Sequence, residues 1–365
     1  MLKYVLPNAA IVDRAARWFL ESGIQEPSGG VARYFHSDRG ENAHVSTEIT
    51  GYAVSFLIYA YRRLGTSAYL DAALRAARFL TQQVWQPAIG AFPFEYPPAA
   101  DVCPLAYFFD SGIIVRGLLS AWRVSGDREF LNVATAAGHG MLIHFPGPRG
   151  PHPILHLPEL RPLEYRMQWS ASPGCYQLKS AMAWQNLYEE TGDPRFRDAY
   201  CAELGQALAT HLTFLQGTDI QEKLMDRLHA YSYFLEGLLP RATQPPFEEA
   251  YLSGMDQVER YLGENPLTFA RSDVYGQLLR ARVFAAELGI APLDEAAAAR
   301  EAQAAAEFQF ESNDPRLDGG FGFGVQRGEM MPFVNPVSTA FCAQALDMWQ
   351  QYRRGAPAPR HEDLV

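Results

Sequence analysis

The chain has 365 residues, of which 48% are hydrophobic and 20% charged, enough to bury a sizeable core. A formal net charge of −10 denies it the basic face that nucleic acid and anionic membrane surfaces attract, so neither is an expected partner.

From the start, MLKYVLPNAAIVDRAARWFLE has no basic stretch followed by an apolar run, so neither a signal peptide nor a membrane span is expected. An amphipathic helix is predicted from near Ala9. A helix apolar on most sides follows from near Thr47 and ends at Arg62, Arg63 and Gly65, cations and then glycine being C-terminal signals. The next helix, from near Ser67, is amphipathic again, with Tyr69, Leu70, Ala73, Leu74, Ala77 and Leu80 on one face. The alternation continues. Helices apolar nearly all round start near Asp110, Gly174, Arg227, Ser272 and Pro336, and amphipathic ones near Asp127, Pro194, Phe247 and Leu293.

A weak repeat marks three of the junctions: Gly65-Thr66 with Tyr69, Gly126-Asp127 with Phe130, and Gly192-Asp193 with Phe196. Glycine takes the left-handed position that ends one helix, the next residue can cap the following helix, and the aromatic packs between the two. Each unit is an αα-hairpin of about 45 to 65 residues. Six buried helices alternating with six half-buried ones predict two concentric rings in one all-α domain spanning 1–354. Residues 355–365 read as a disordered tail. Strand signals are sparse, and the Gly/Pro-rich stretches Gln86 to Pro104 and Phe145 to Glu164 read as long functional loops at one end of the ring. Cys103, Cys175, Cys201 and Cys342 lie far apart, without zinc-ligand spacing, which suits a reducing, cytoplasmic setting with no metal.

Several short motifs carry a family resemblance. They are Thr47-Glu48-Ile49-Thr50-Gly51-Tyr52, Phe109-Asp110-Ser111-Gly112, His229-Ala230-Tyr231 followed by Glu236-Gly237-Leu238-Leu239, and Gly319-Gly320-Phe321-Gly322 before Asn335-Pro336. With them the chain resembles, over nearly its whole length, the six-hairpin (α/α)6-toroid proteins related to glycosidases and sugar epimerases. Within these it is most similar to a group found with bacterial polysaccharide-biosynthesis genes. The resemblance implies the toroid fold, an oligo- or polysaccharide substrate and no cofactor. It implies no particular reaction, because such rings host hydrolases, epimerases, lyases and terpenoid cyclases. The acidic Asp-x-Asp-Asp signature of class II cyclases is absent, as is a zinc-ligand motif for protein prenylation.

If the inner helices run parallel, their starts converge on one mouth, and Glu48, Asp110, His229, Tyr231 and Asp273 meet there. Arg33, Tyr34, His36, Glu95, Tyr107, Tyr165, Arg166 and Tyr176 would surround them. Capping is an alternative role for Asp110 and Asp273. It suits Glu48 less, since Ser46 or Thr47 is the better cap. His152 and His156 are separated by Pro153, which spoils a helical metal pair. Ser111 lacks the Gly-x-Ser-x-Gly elbow of serine hydrolases. Two mechanisms stay open. Glu48 and Asp110 form a carboxylate pair for glycosidic hydrolysis, with Asp273 or Glu95 as substitutes. His229 with Tyr231, or His36 as partner base, suits epimerisation or β-elimination, with Arg33 or Arg166 holding a substrate carboxylate. A non-catalytic sugar-binding protein of a polysaccharide pathway and a cyclase-like enzyme are the further readings. A monomer or homodimer is expected.

Overall fold

The computed structural model describes residues 8–98, 102–216, 221–264, 268–356 and 360–365. Among these, twelve helices alternate between two layers. The outer ones are α1 (Asn8–Glu21), α3 (Ser67–Phe79), α5 (Arg128–His144), α7 (Pro194–Phe214), α9 (Phe247–Glu264) and α11 (Glu295–Ala306). The inner ones are α2 (Thr47–Leu64), α4 (Phe108–Ser125), α6 (Gln177–Thr191), α8 (Gln221–Leu238), α10 (Ser272–Glu287) and α12 (Pro336–Tyr352). Each inner helix packs on the next, and α12 packs back on α2, so the ring closes as an (α/α)6 toroid. No helix among the described residues is long and apolar enough to cross a membrane.

The predicted junctions form. Gly65, Gly126 and Gly192 take φ of 72°, 70° and 72° and end α2, α4 and α6 in the left-handed conformation. Asp127 and Asp193 cap the following helices by accepting from Glu129 N and Arg195 N. Thr66 makes no such bond. Tyr69, Phe130 and Phe196 are buried between the layers.

Small residues set the spacing of the inner ring. A Cβ on Gly117 of α4 would lie 2.6 Å from the Gly51 carbonyl oxygen of α2, and one on Gly237 of α8 would lie 2.6 Å from the Leu178 carbonyl carbon of α6. A Cβ on Gly112 of α4 would overlap Ser180 of α6. These backbones touch, which leaves a narrow bore and brings the helix starts within reach of one another.

The mouth carries more strand than the sequence suggests. Three antiparallel three-stranded sheets stand there, in orders β2-β1-β9, β3-β4-β5 and β6-β7-β8. Their strands are β1 (Phe35–His36), β2 (Glu41–Asn42), β3 (Leu105–Tyr107), β4 (Ile154–His156), β5 (Arg161–Pro162), β6 (Phe269–Arg271), β7 (Gly324–Gln326), β8 (Glu329–Met330) and β9 (Phe333–Val334). Two- and three-residue strands are too short for an alternating pattern to show. β3 runs straight into α4 and β6 into α10, so the sheets fix how those helices begin.

The tail departs from its expected disorder over residues 360–365. Leu364 and Val365 are each 1% exposed, because their aliphatic side chains join the core.

Replacing Gly112 with alanine forces α4 and α6 apart. We expect a loss of about 2–3 kcal/mol in denaturant unfolding, the scale of overpacking in a filled core, against near-neutrality for alanine at exposed Gly205, whose Cβ would meet nothing within 4 Å.

Candidate functional site

The starts of the inner helices, with the sheets around them, enclose a cleft of about 500 Å³. Of the residues singled out from sequence, Arg33, Tyr34, Glu48, Tyr107, Asp110, Tyr176, His229 and Asp273 line it. They come from far-apart segments and meet because consecutive inner helices point the same way.

Glu48 is the second residue of α2. Ser46 is the cap, its side chain accepting from Ile49 N, so Glu48 is free of that task. Asp110 is the third residue of α4 and caps nothing. Its Oδ2 is buried without a hydrogen-bond partner. Burial raises the Glu48 carboxyl to about 7, with the Arg33 guanidinium opposing the rise. Burial and then the Glu48 charge push Asp110 well above the ordinary carboxyl range, again against Arg33. Both carboxyl groups of this wall are therefore shifted toward their protonated forms.

A second cluster faces them. Asp273 is the second residue of α10, and Arg271 at the end of β6 grips it with both arms, Nε to Oδ1 at 3.0 Å and Nη2 to Oδ2 at 2.7 Å. Arg271 also donates to Asp226 at 2.6 Å and lies over the Phe323 ring at 4.5 Å. Burial raises the Asp273 carboxyl, but Arg271 and His229 outweigh it, and the group sits below its ordinary value. His229 Nδ1 lies 2.9 Å from Gln277 Oε1 and 3.5 Å from Asp273 Oδ2. Two acceptors at Nδ1 assign the proton there and leave Nε2 as the lone-pair nitrogen. Burial and the neighbouring Arg271 lower His229 to about 4, so the ring is neutral at physiological pH.

Tyr231 does not reach the cleft. Its hydroxyl meets His211 Nδ1 at 3.0 Å and accepts from Gln257 Nε2 at 3.3 Å, toward outer helices α7 and α9. Residues two apart on a helix lie on nearly opposite sides, so His229 and Tyr231 cannot share a face. Tyr233, one turn beyond His229, does share it, and its ring packs edge-on to the histidine at 4.5 Å. His36 stands behind the lining, edge-on to Tyr34 and Phe333. Glu95 is outside the lining too and faces Arg33 Nη1 at 3.8 Å. Arg166 is exposed, on the loop whose Gln168, Trp169 and Ser170 do line the cleft. Tyr165 stacks on His152 instead.

Sequence reasoning missed Arg271, Tyr233, Trp169, Phe94, Phe109, Phe323, Phe333 and Asn335 in the lining. With Tyr34, Tyr107 and Tyr176, nine aromatic side chains stand among the 21 residues of the wall. Flat apolar faces beside a few fixed polar groups suit pyranose rings, which present C–H patches and hydroxyl edges. Among the described residues, a group of metal-ligating type, Glu189, His361 and Glu362, gathers near residues 360–365 rather than in the cleft.

No protein-family model matches the chain. No curated protein matches it either. Solved structures do. A sugar epimerase from a ruminal bacterium superposes with a TM-score of 0.72 at 13% identity, covering 95% of this chain and 99% of that one. A D-mannose isomerase gives 0.70 at 10% identity, over 96% and 100%. An unsaturated glucuronyl hydrolase from Streptococcus agalactiae gives 0.65 at 11%, over 95% and 93%. At such identities the likeness is one of fold, and it extends along the whole toroid.

Proposed function

We propose that the protein is a carbohydrate-active enzyme that cleaves a glycosidic bond, with Asp110 as the general acid and Glu48 as the carboxylate that activates water. The observation that carries this reading is a pair of carboxyl groups on adjacent inner helices, Asp110 buried and Glu48 half-buried, both raised above the ordinary carboxyl range inside a cleft rich in aromatic rings. Asp110, buried and raised further by the Glu48 charge than burial alone would raise it, delivers the proton to the leaving glycosidic oxygen. Glu48, facing Arg33, takes a proton from water as the water oxygen bonds to the anomeric carbon. The C–O bond breaks, and the proton gained by Glu48 returns to Asp110 through solvent. The sugar chemistry of the toroids with similar folds supports the substrate class.

The neutral histidine weighs against epimerisation. A base whose conjugate acid ionises near 4 is poorly matched to pulling a proton from carbon at pH 7. Its intended partner Tyr231 is turned away. His229 is better suited to hold a sugar hydroxyl through Nε2, with Asp273 and Gln277 fixing its tautomer.

Incubation with neutral and uronic-acid oligosaccharides, followed by assay of new reducing ends, tests the pair. Glu48→Gln and Asp110→Asn should each lower turnover about 10²- to 10⁴-fold with the fold retained. Full activity in both variants would remove the assignment. The two carboxyls bind protons more tightly in the folded chain than in the unfolded one. The stability they contribute is therefore full below about pH 4.5 and declines as pH rises toward 7. Glu48→Gln should accordingly be the more stable protein at pH 8, by up to roughly 3 kcal/mol less what solvent in the cleft screens.

A second measurement addresses the histidine. In an NMR titration the His229 ring should change protonation near pH 4, and Arg271→Met should move that midpoint upward by removing a neighbouring positive charge. A midpoint at 6.5 or above would restore His229 as a proton acceptor.

A further inference from the structure

A second group of side chains able to bind or react lies at the far end of the ring from the cleft. Tyr176, just before α6, lines the cleft. Glu189 stands near the opposite end of that helix, which rises about 18 Å between Gln177 and Glu189. Residues 360–365 cross the ring there. Arg116 of α4 donates to the carbonyls of His361 at 3.1 Å and Leu364 at 2.8 Å, and Gln344 of α12 donates to that of Asp363 at 2.9 Å. These main-chain bonds set His361 and Glu362 against Glu189. One ligand atom from each of the three residues lies within 4.8 Å of the other two.

The details are those of a coordination site rather than of an ion pair. His361 Nε2 stands 3.5 Å from Glu189 Oε1, long for a charge-assisted hydrogen bond. It is close to the roughly 3.4 Å that separates two ligands of a tetrahedral zinc ion with bonds of about 2.1 Å. His361 Nε2, Glu362 Oε2 and Gln185 Oε1 are all buried and make no hydrogen bond. Arg360 Nε comes within 3.0 Å of Glu362 Oε2 but is not aligned to donate, and its side chain is 73% exposed. Gln185 is 7% exposed, and its Nε2 donates to Glu189 Oε1 at 2.8 Å, which holds its carbonyl oxygen beside the cluster. Asn186 Nδ2 donates to Glu189 Oε2 at 3.1 Å. Two amides one turn back on α6 thus orient the Glu189 carboxylate, as outer partners orient metal ligands. Buried lone pairs without a donor are costly. A cation is the one partner that would satisfy all of these atoms at once.

We propose that Glu189, His361 and Glu362 form a binding site for a divalent transition-metal ion of the zinc class, which clips residues 360–365 to α6. One imidazole with two carboxylates favours zinc and its first-row neighbours over magnesium and calcium, which take oxygen ligands. Three protein ligands leave a position for Gln185 Oε1 or water. The ion's role is structural and separate from the cleft chemistry. It joins the late segment of the chain to the middle of the inner ring, at the end where no substrate enters.

The test uses the untagged full chain, stripped with a chelator and titrated with zinc chloride against a chromophoric zinc competitor at neutral pH. One equivalent should bind with a dissociation constant of about 1 μM or tighter, and excess magnesium should not displace it. Glu189→Gln, His361→Ala and Glu362→Gln should each weaken binding about 100-fold or more. Glu362→Gln keeps the side-chain shape and so separates ligand loss from misfolding. His139→Ala, which alters a histidine–aspartate pair with Asp193 elsewhere on the surface, should change nothing. Zinc should raise the melting temperature of the parent and leave that of His361→Ala unmoved. A parent that takes up no zinc at about 100 μM would overturn the proposal and leave His361 and Glu189 as an ordinary ion pair. Uptake that survives all three ligand substitutions would overturn it as well, placing the ion at an adventitious site.

Discussion

The structure depends on how closely its inner helices approach one another. Gly51 against Gly117, Gly112 against Ser180 and Gly237 against Leu178 bring backbones into contact along successive seams. That contact fixes the diameter of the ring, and the diameter decides which side chains can meet across it. With bulkier residues at the seams the starts of α2, α4, α8 and α10 would stand farther apart, and Glu48, Asp110, His229 and Asp273 would be isolated first-turn residues rather than one constellation.

The narrow bore also explains the electrostatics. Each carboxyl near the mouth is drawn out of water by its own helix start, yet the outcomes diverge with the neighbour supplied. Asp273 has Arg271 in a two-armed grip and stays ionised. Asp110 has another carboxyl nearby and no hydrogen bond on Oδ2, and its carboxyl is pushed toward the protonated form. Similar residues at similar helical positions are thereby sorted into an ion-paired anion and a carboxyl raised above its ordinary range. The energy of keeping Asp110 unpaired is drawn from the large apolar core around it, as is common where binding or chemistry requires an unsatisfied group.

Much of this was readable from residues alone. The alternation of all-apolar with one-faced helices marked the two rings, and the glycine junctions marked the hairpins, because both are local signals of periodicity and backbone conformation. Eight of the predicted site residues line the cleft, since parallel helices place their starts together whatever the details. Tyr231 was misplaced although the helical period alone distinguishes it from Tyr233. Arg271 carried no signal, being one arginine before a helix whose partner is known only once β6 is formed. The tail's composition, rich in charge, proline and alanine, resembles disordered segments. Residues 360–365 are held by Arg62, Arg116, Lys179, Arg280 and Gln344 of five distant helices, which no local window contains.

The pairing of β1 with β9 joins Phe35 to Val334 and His36 to Phe333, and α12 lies against both α1 and α2. Elements early in the described residues are thus completed by elements late in them. An open stack of helical hairpins can be finished at any length by a polar terminal repeat. A closed ring has no such stopping point: until α12 emerges, α2 and α10 each keep an apolar flank exposed. Closure of the ring consequently waits for the synthesis of α12, and nascent chains must be shielded from one another until then.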